Sequence, residues 1–289
     1  MERELFRETR CQLFRIPVIR NRRQIYTSHE IVRVLLWTAA HDRPISWACQ
    51  HANWPLGGRW NELPSQSQMS RRLRTFAVQQ ILQQLLQALR DMLPKRFIKY
   101  LDGKPLPVGG CSKDRDAKFG RGAACIQRGY KLVCVVDQEG AVDAWRLGSM
   151  NVPEHEQARV LLQEMPWCVY VVGDNAFDKN DLYETAGRRE MRLIGAFKSS
   201  AKAPGHRHHS EHRLRSLELQ RRAMGQDLLR MRTGIERSYG NLSSFAGGLG
   251  PLPAWVRRPH RVATWVAAKL ILDSARRVLL RKRNETLGA

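Results

Sequence analysis

Two textures of apolar spacing divide the chain. Up to Pro94 apolar residues recur at helical intervals, whereas from Lys95 to about Phe197 they come in short runs and alternations typical of strands. Ile31, Val32, Leu35, Leu36 and Ala39 follow Thr27 and Glu30, whose separation is that of a capping box. This predicts a helix from Thr27 to about Ala40. His41-Asp42-Arg43-Pro44 breaks it. Ile45 to Ala52 reads as a short second helix before Trp54-Pro55 and a Gly57-Gly58 turn. Pro64-Ser65-Gln66-Ser67 then leads into one longer helix with Leu73, Phe76, Ile81, Leu82, Leu85, Leu86 and Leu89 on its apolar side. The arginine-punctuated residues before Tyr26 read as an arm or frayed helix.

Beyond Lys95, strands are expected at Phe97–Leu101, Tyr130–Val136, Ala141–Leu147, Cys168–Val172 and Leu193–Phe197. The second and third form a hairpin around Asp137-Gln138-Glu139-Gly140. Helices are expected from Pro153 to about Met165 and over Lys179–Arg189, with a Gly-, Lys- and Arg-rich loop after the first strand. Residues 199–223 read as loop with partial helix, and Gln226 to Leu242 as helix. The order strand, strand, strand, helix, strand, helix, strand, helix is that of an RNase H-like α/β domain, a mixed sheet flanked by helices. In that order the first and fourth strands lie side by side. A small all-α, helix-turn-helix-like N-terminal domain is expected over residues 1–94. The RNase H-like domain is expected over 95–289, with a closing helix, Arg261 to Arg283, packing one face (Val262, Trp265, Leu272, Ala275, Leu279) on the core.

Charge adds a partner. The net charge is +22, unevenly spread: residues 1–94 hold 14 Lys/Arg against 7 Asp/Glu and residues 199–289 hold 18 against 6, while residues 95–198 hold 17 against 14. Basic flanks around a nearly balanced centre suit a protein that grips a polyanion and does acid-based chemistry in the middle. No apolar run is long enough for a bilayer span, since Lys269, Asp273, Arg276 and Arg277 interrupt the longest tail candidate. The six scattered cysteines, without a Cys-x-x-Cys pair, argue against a zinc module or disulfide framework and for a reduced cytoplasmic setting.

Three acids carry the chemistry. Asp102 closes the apolar run Phe97–Leu101 and is followed by glycine. Asp174 follows Cys168–Gly173, and Glu236 lies in a basic helix. Carboxylates brought to one point repel unless a cation separates them, and hard oxygen ligands select Mg²⁺ or Mn²⁺. For each acid alone the bland reading is a turn acid, or for Glu236 an i,i+4 pair with Arg232. Asp178 reads as a helix N-cap. Asp137, Glu139 and Asp143 are expected to be solvated, and Asp114 and Asp116 to lie in an exposed basic loop. His206, His208, His209 and His212, interleaved with arginines, read as a cationic loop rather than a zinc site.

Several motifs occur in order: Leu63-Pro64-Ser65-Gln66-Ser67 before Ser70-Arg71-Arg72-Leu73, Asp102-Gly103-Lys104-Pro105, Gly129-Tyr130-Lys131-Leu132, and Asn151 with Glu154-His155. Gly173-Asp174-Asn175-Ala176-Phe177 and Ile235-Glu236-Arg237-Ser238-Tyr239-Gly240-Asn241-Leu242 follow. Over about residues 60–280 this series resembles the DDE transposases of bacterial insertion sequences. Arg232 stands where that family's signature around the glutamate requires it. Leu229 and Ser243 stand where some members have tyrosine and lysine. The resemblance implies that Asp102, Asp174 and Glu236 are the catalytic, metal-holding triad for DNA cleavage at element ends and strand transfer to target DNA. The candidate DNA contacts are Arg71, Arg72, Lys104, Lys113, Arg121, Arg232 and Arg237. A homodimer assembled on double-stranded DNA, associated with a bacterial nucleoid, is the expected working form. A nuclease without strand transfer, or a noncatalytic DNA-binding derivative, are the competing classes.

Overall fold

The computed structural model describes residues 2–18, 24–55, 62–122, 124–197, 209–232 and 248–287. They fall into two units, one made of residues 1–94 with 242–289 and the other of 95–241.

The first unit is helical. Its opening helix α1 (Glu2–Arg15) is a packed helix where an arm or frayed helix was expected. Leu5, Thr9 and Leu13, spaced four apart, form a fully buried stripe, which holds these residues in a packed helix. Helix α2 (Ser28–Ala40) starts at Thr27 with both halves of the capping box formed. Helix α3 (Ile45–Ala48) is one turn, followed by a 3₁₀ turn at His51–Asn53. The long helix expected after Pro64 is two: α4 (Gln66–Arg72), capped by Ser65, and α5 (Phe76–Asp91). The break is local chemistry, because the Thr75 hydroxyl donates to the Arg72 carbonyl and the Gln79 amide to that of Leu73. The stretch Ser70–Arg72 therefore closes a short helix instead of opening a long one. Phe76, expected on the apolar side, is exposed at the new helix start. The Gly57-Gly58 turn lies outside the described residues.

The closing helix α10 (Pro259–Leu287) packs on α1, α2 and α5. The expectation that it ends the 95–289 domain is thus corrected. From Thr264 to Ala275 it is buried on nearly every side, not on one face. Small residues (Ala267, Ala268, Ser274, Ala275) permit close neighbours all round, and its charges are answered locally: Lys269 by Asp42 at 2.7 Å, Asp273 by Arg277 at 2.7 Å.

The second unit is built on a mixed sheet. Its strands are β1 (Ile98–Pro107), β2 (Lys118–Arg121), β3 (Ile126–Asp137), β4 (Val142–Ser149), β5 (Tyr170–Gly173) and β6 (Arg192–Gly195). The order is β2-β3-β1-β5-β6, with β4 also on β3. β1, β3 and β4 are antiparallel neighbours, while β1, β5 and β6 run parallel. This RNase H-like arrangement includes the expected pairing of first and fourth strands. Helices α6 (Glu154–Glu164) and α7 (Asn180–Gly187) connect the parallel strands, and Leu101, Val133, Leu161, Val171, Phe177 and Leu182 share their buried core. Helices α8 (Glu211–Arg221) and α9 (Ala223–Met231) follow, α8 lying in the stretch expected as loop with partial helix.

Acids expected to be solvated are partly structural. Asp137 is buried and accepts the Glu139 and Ala141 N–H groups at 2.9 Å, which shapes the hairpin turn whose Gly140 has φ 80°. Asp143 forms a buried 2.6 Å ion pair with Lys99. Asp114 is buried too, accepting the Tyr130 hydroxyl at 2.9 Å, while Arg128 donates to the carbonyls of Ser112 and Ala117. The loop after β1 is therefore pinned to the sheet, with the side chains of Cys111, Lys113 and Arg115 standing exposed.

Candidate active site

Asp102 does not close its strand. β1 continues to Pro107, and Asp102 pairs in register with Cys134 of β3. What ends beside it is β5: the parallel register runs Ile98↔Tyr170 to Leu101↔Gly173 and stops there. Asp102 and Asp174 are therefore the next residues on two adjacent parallel strands, which lie about 4.8 Å apart. The apolar run preceding each acid is what sets this register, because Leu101 and Val171 belong to one core. Asp174 caps the 3₁₀ turn Asn175–Phe177, its Oδ1 accepting the Ala176 N–H at 2.8 Å. Asp102 Oδ1 accepts the N–H of its own neighbour Gly103 at 2.8 Å.

The electrostatics of Asp102 identify what surrounds it. Burial pushes its carboxyl up to about 6, opposed by the Gly103 hydrogen bond and the Arg232 charge and reinforced by the charges of Asp174 and Glu154. Glu154, in the first turn of α6, approaches so closely that a Cβ on Gly103 would come within 2.6 Å of its carboxyl carbon. Lys131 of β3 holds it at 3.1 Å. The sequence marked Glu154 only as part of a motif. The signal for a role was its place directly after Pro153 at a helix start, where an acid is favoured, but its approach to Asp102 depends on tertiary packing. Lys104 stands on the same strand, its pKa lowered by burial against the charges of Cys134 and Asp102.

Two carboxylates at neighbouring strand positions, one of them made reluctant to ionise by burial first and by the charge of the other second, form a hard oxygen donor set that a divalent cation fits. Among the described residues no group of three or more His, Cys, Asp or Glu is close enough to hold a metal. Glu236, with Arg237, lies outside the described residues. Of the other expected contacts, Arg71, Lys113 and Arg121 are exposed. Arg72 is committed to the fold, donating to the Tyr26 carbonyl at 2.9 Å and the Ser28 hydroxyl at 3.1 Å. Arg232 acts on Asp102.

Asp178 is neither cap nor ligand. α7 has no side-chain cap, and Asp178 instead takes a two-pronged contact from Arg213 of α8 at 2.8 and 2.7 Å, plus the Tyr183 hydroxyl at 3.2 Å. His209 sits against Arg213, and His212 against Gly187; His206 and His208 are outside the described residues.

Compared with known protein families, residues 98–249 match the model described as Transposase DDE domain. No curated protein and no solved structure matches the chain.

Proposed function

The chain belongs to the Transposase DDE domain family, and from that premise we propose that it cuts DNA at the ends of an insertion sequence and joins those ends to target DNA, with a divalent cation, Mg²⁺ or Mn²⁺, held by Asp102, Asp174 and Glu236. The observation that carries most weight is the register of β1 with β5, which ends immediately before Asp102 and Asp174. Bound there, the cation would supply Lewis-acid stabilisation of charge developing on the phosphate oxygens.

The protein's own residues prepare for that task. The N–H groups of Gly103 and Ala176 orient one oxygen of each aspartate. Lys131 anchors Glu154, which keeps a third negative charge near Asp102 without displacing Asp174. Arg232 offsets part of the accumulated charge. The helical unit and the exposed Lys113 and Arg121 supply cationic surface for the DNA backbone, with the protein acting as a homodimer once assembled on DNA.

Asp174→Ala tests the assignment directly. With DNA carrying the element ends and Mg²⁺, strand cleavage by the variant is expected to fall about a hundred- to a thousandfold, since such losses accompany removal of a principal charge-stabilising group. Salt-sensitive binding of the same DNA should persist. Mg²⁺-dependent cleavage at wild-type rate in the variant rejects the site. Cleavage without joining by the wild-type protein selects the nuclease reading instead.

A further inference from the structure

The start of β3 forms a hairpin with β2 and carries an apolar patch turned to solvent. Phe119 is 68% exposed and Ile126 75%. The register pairs Phe119 with Arg128 and Arg121 with Ile126, so these four residues share one face of the hairpin, with Phe119 and Ile126 as diagonal neighbours. Steps of two along β3 lead from Ile126 to Cys134, the partner of Asp102. The patch therefore stands on the same face of the sheet as Asp102. Ile126 and Cys134 are eight positions apart (134 − 126), about 27 Å at ~3.4 Å per residue.

The hairpin is fixed in place. Its other face is closed, because a side chain at Gly120 would collide with the Met150 carbonyl. On the open face Arg128 donates to the carbonyls of Ser112 at 2.9 Å and Ala117 at 3.0 Å, and to that of Asp114, which lays the loop 112–117 beside Phe119. Exposed cations thus surround the patch: Lys113 and Arg115 from the loop, Lys118 and Arg121 from β2. Of the loop's acids, Asp114 is buried against the Tyr130 hydroxyl and Asp116 is half-buried. A protein partner fits this surface poorly, since two apolar side chains fall far short of the roughly 1,000 Å² of a specific interface and lysine is depleted at such interfaces. An unpaired base would stack on Phe119 but make no use of Ile126, which has no ring. Duplex DNA uses everything present, because aromatic and aliphatic side chains alike act as wedges between base pairs and cations hold the phosphates beside them.

We propose that the β2–β3 hairpin is a DNA wedge: Phe119 and Ile126 insert between base pairs of a duplex lying along the face of Asp102, and Lys113, Arg115, Lys118 and Arg121 hold the flanking phosphates. The bend that results brings more of the duplex onto the basic loop, which offsets the cost of unstacking. With the duplex along β3, the kink falls about eight base pairs from the phosphate at Asp102, because base pairs and strand residues have nearly the same spacing. The inference rests on the DNA partner of the proposed function and adds how that DNA is deformed.

The test uses the full-length protein, a chelator in place of Mg²⁺, and a duplex labelled at its two ends with a donor and an acceptor dye. Anisotropy then reports binding and energy transfer reports bending. Wild-type protein is expected to raise energy transfer on binding. It should also bind a duplex with a central mismatch about tenfold more tightly than a matched one, because the mismatch is already partly unstacked. Phe119→Ser combined with Ile126→Ser, both at exposed positions, should abolish the bend and the preference while retaining salt-sensitive binding. Phe119→Leu keeps an apolar wedge and should keep both signals, as should Asp174→Ala. The proposal is overturned if the double variant bends DNA and prefers the mismatch as the wild type does, or if the wild type binds DNA without bending it. Either result leaves the proposed function standing, whereas no DNA binding at all removes both. Sedimentation of the DNA-free protein adds a check: if the double variant dissociates a dimer that the wild type forms, the patch belongs to a second copy of the chain and the wedge is overturned.

Discussion

A carboxyl whose pKa rises to about 6 on folding, as that of Asp102 does from an ordinary 3.8, holds its proton more tightly in the folded protein than in the unfolded chain. Between those two values the folded state binds more protons. Stability of the metal-free protein therefore falls as pH rises through that window, and the whole penalty is present above it. Asp102→Asn keeps an oxygen to accept the Gly103 N–H but cannot ionise. It is expected to stabilise the metal-free protein by on the order of 1–2 kcal/mol at pH 7.5 and to change little at pH 3.5. Adding Mg²⁺ should raise the stability of the wild type but not of the variant, because a ligand that binds the folded state stabilises it. Urea midpoints at both pH values, with chelator and with Mg²⁺, measure this. An equal gain at the two pH values would mean that the substitution improves packing rather than relieving charge.

At the scale of elements, the turn after Asp174 is tied to the helices that lead toward Glu236. Asp178 follows that turn, and Arg213, which grips it, is on α8; both side chains are 12% exposed. Tyr183 braces the pair from α7, its hydroxyl also accepting the Gly195 N–H at 3.2 Å. Arg213→Ala strands a largely buried carboxylate and should destabilise the protein by about 2–4 kcal/mol. Asp178→Asn added to Arg213→Ala should recover part of that loss, a non-additivity readable in denaturant midpoints. Additive losses would show that the two side chains do not interact energetically. None of this clamp was legible in the sequence, where Asp178 before a helix reads as a cap, because nothing local reveals an arginine 35 positions on. The strand order was legible, since buried parallel strands read as short apolar runs and the hairpin carries its own turn residues. The end of β1 was not: Asp102-Gly103 and two prolines imitate a turn, yet β3 supplies a nine-residue register across Pro107. β2 escaped notice because its four residues are mostly exposed and Phe119 points to solvent rather than marking a core face. Thus the adjacency of Asp102 and Asp174 was legible through the apolar runs ahead of them, while the approach of Glu154 to Gly103 and the contact of Asp114 with Tyr130 depend on residues distant in sequence.

For the whole molecule, assigning α10 to the helical unit redraws the charge map. Residues 1–94 and 242–289 together carry 23 Lys/Arg against 9 Asp/Glu, and residues 95–241 carry 26 against 18, so +14 of the net +22 belongs to the helical unit. Internal pairs of the second unit such as Lys99–Asp143 and Arg213–Asp178 contribute little field at a distance, while its exposed acids, among them Glu156, Glu164, Asp181, Glu190, Glu211, Glu218 and Asp227, offset its surface cations. If DNA binding is driven by release of condensed counterions, its salt dependence must come mostly from the helical unit. Arg71 and Arg74 flank the end of α4 and are exposed, unlike Arg72, whose guanidinium is committed to Tyr26 and Ser28. Arg71→Ala and Arg74→Ala should each weaken binding of any DNA sequence to a similar degree and lower the slope of log K against log salt by about one. Arg72→Ala should instead lower thermal stability, because it frees a carbonyl and a hydroxyl at the start of α2. Asp174→Ala should leave the slope unchanged. Anisotropy titrations across a salt series separate these cases. A slope that drops with Lys113→Ala and Arg121→Ala but not with the α4 variants would move the main phosphate-binding surface to the sheet unit, and α4 would then contribute packing alone.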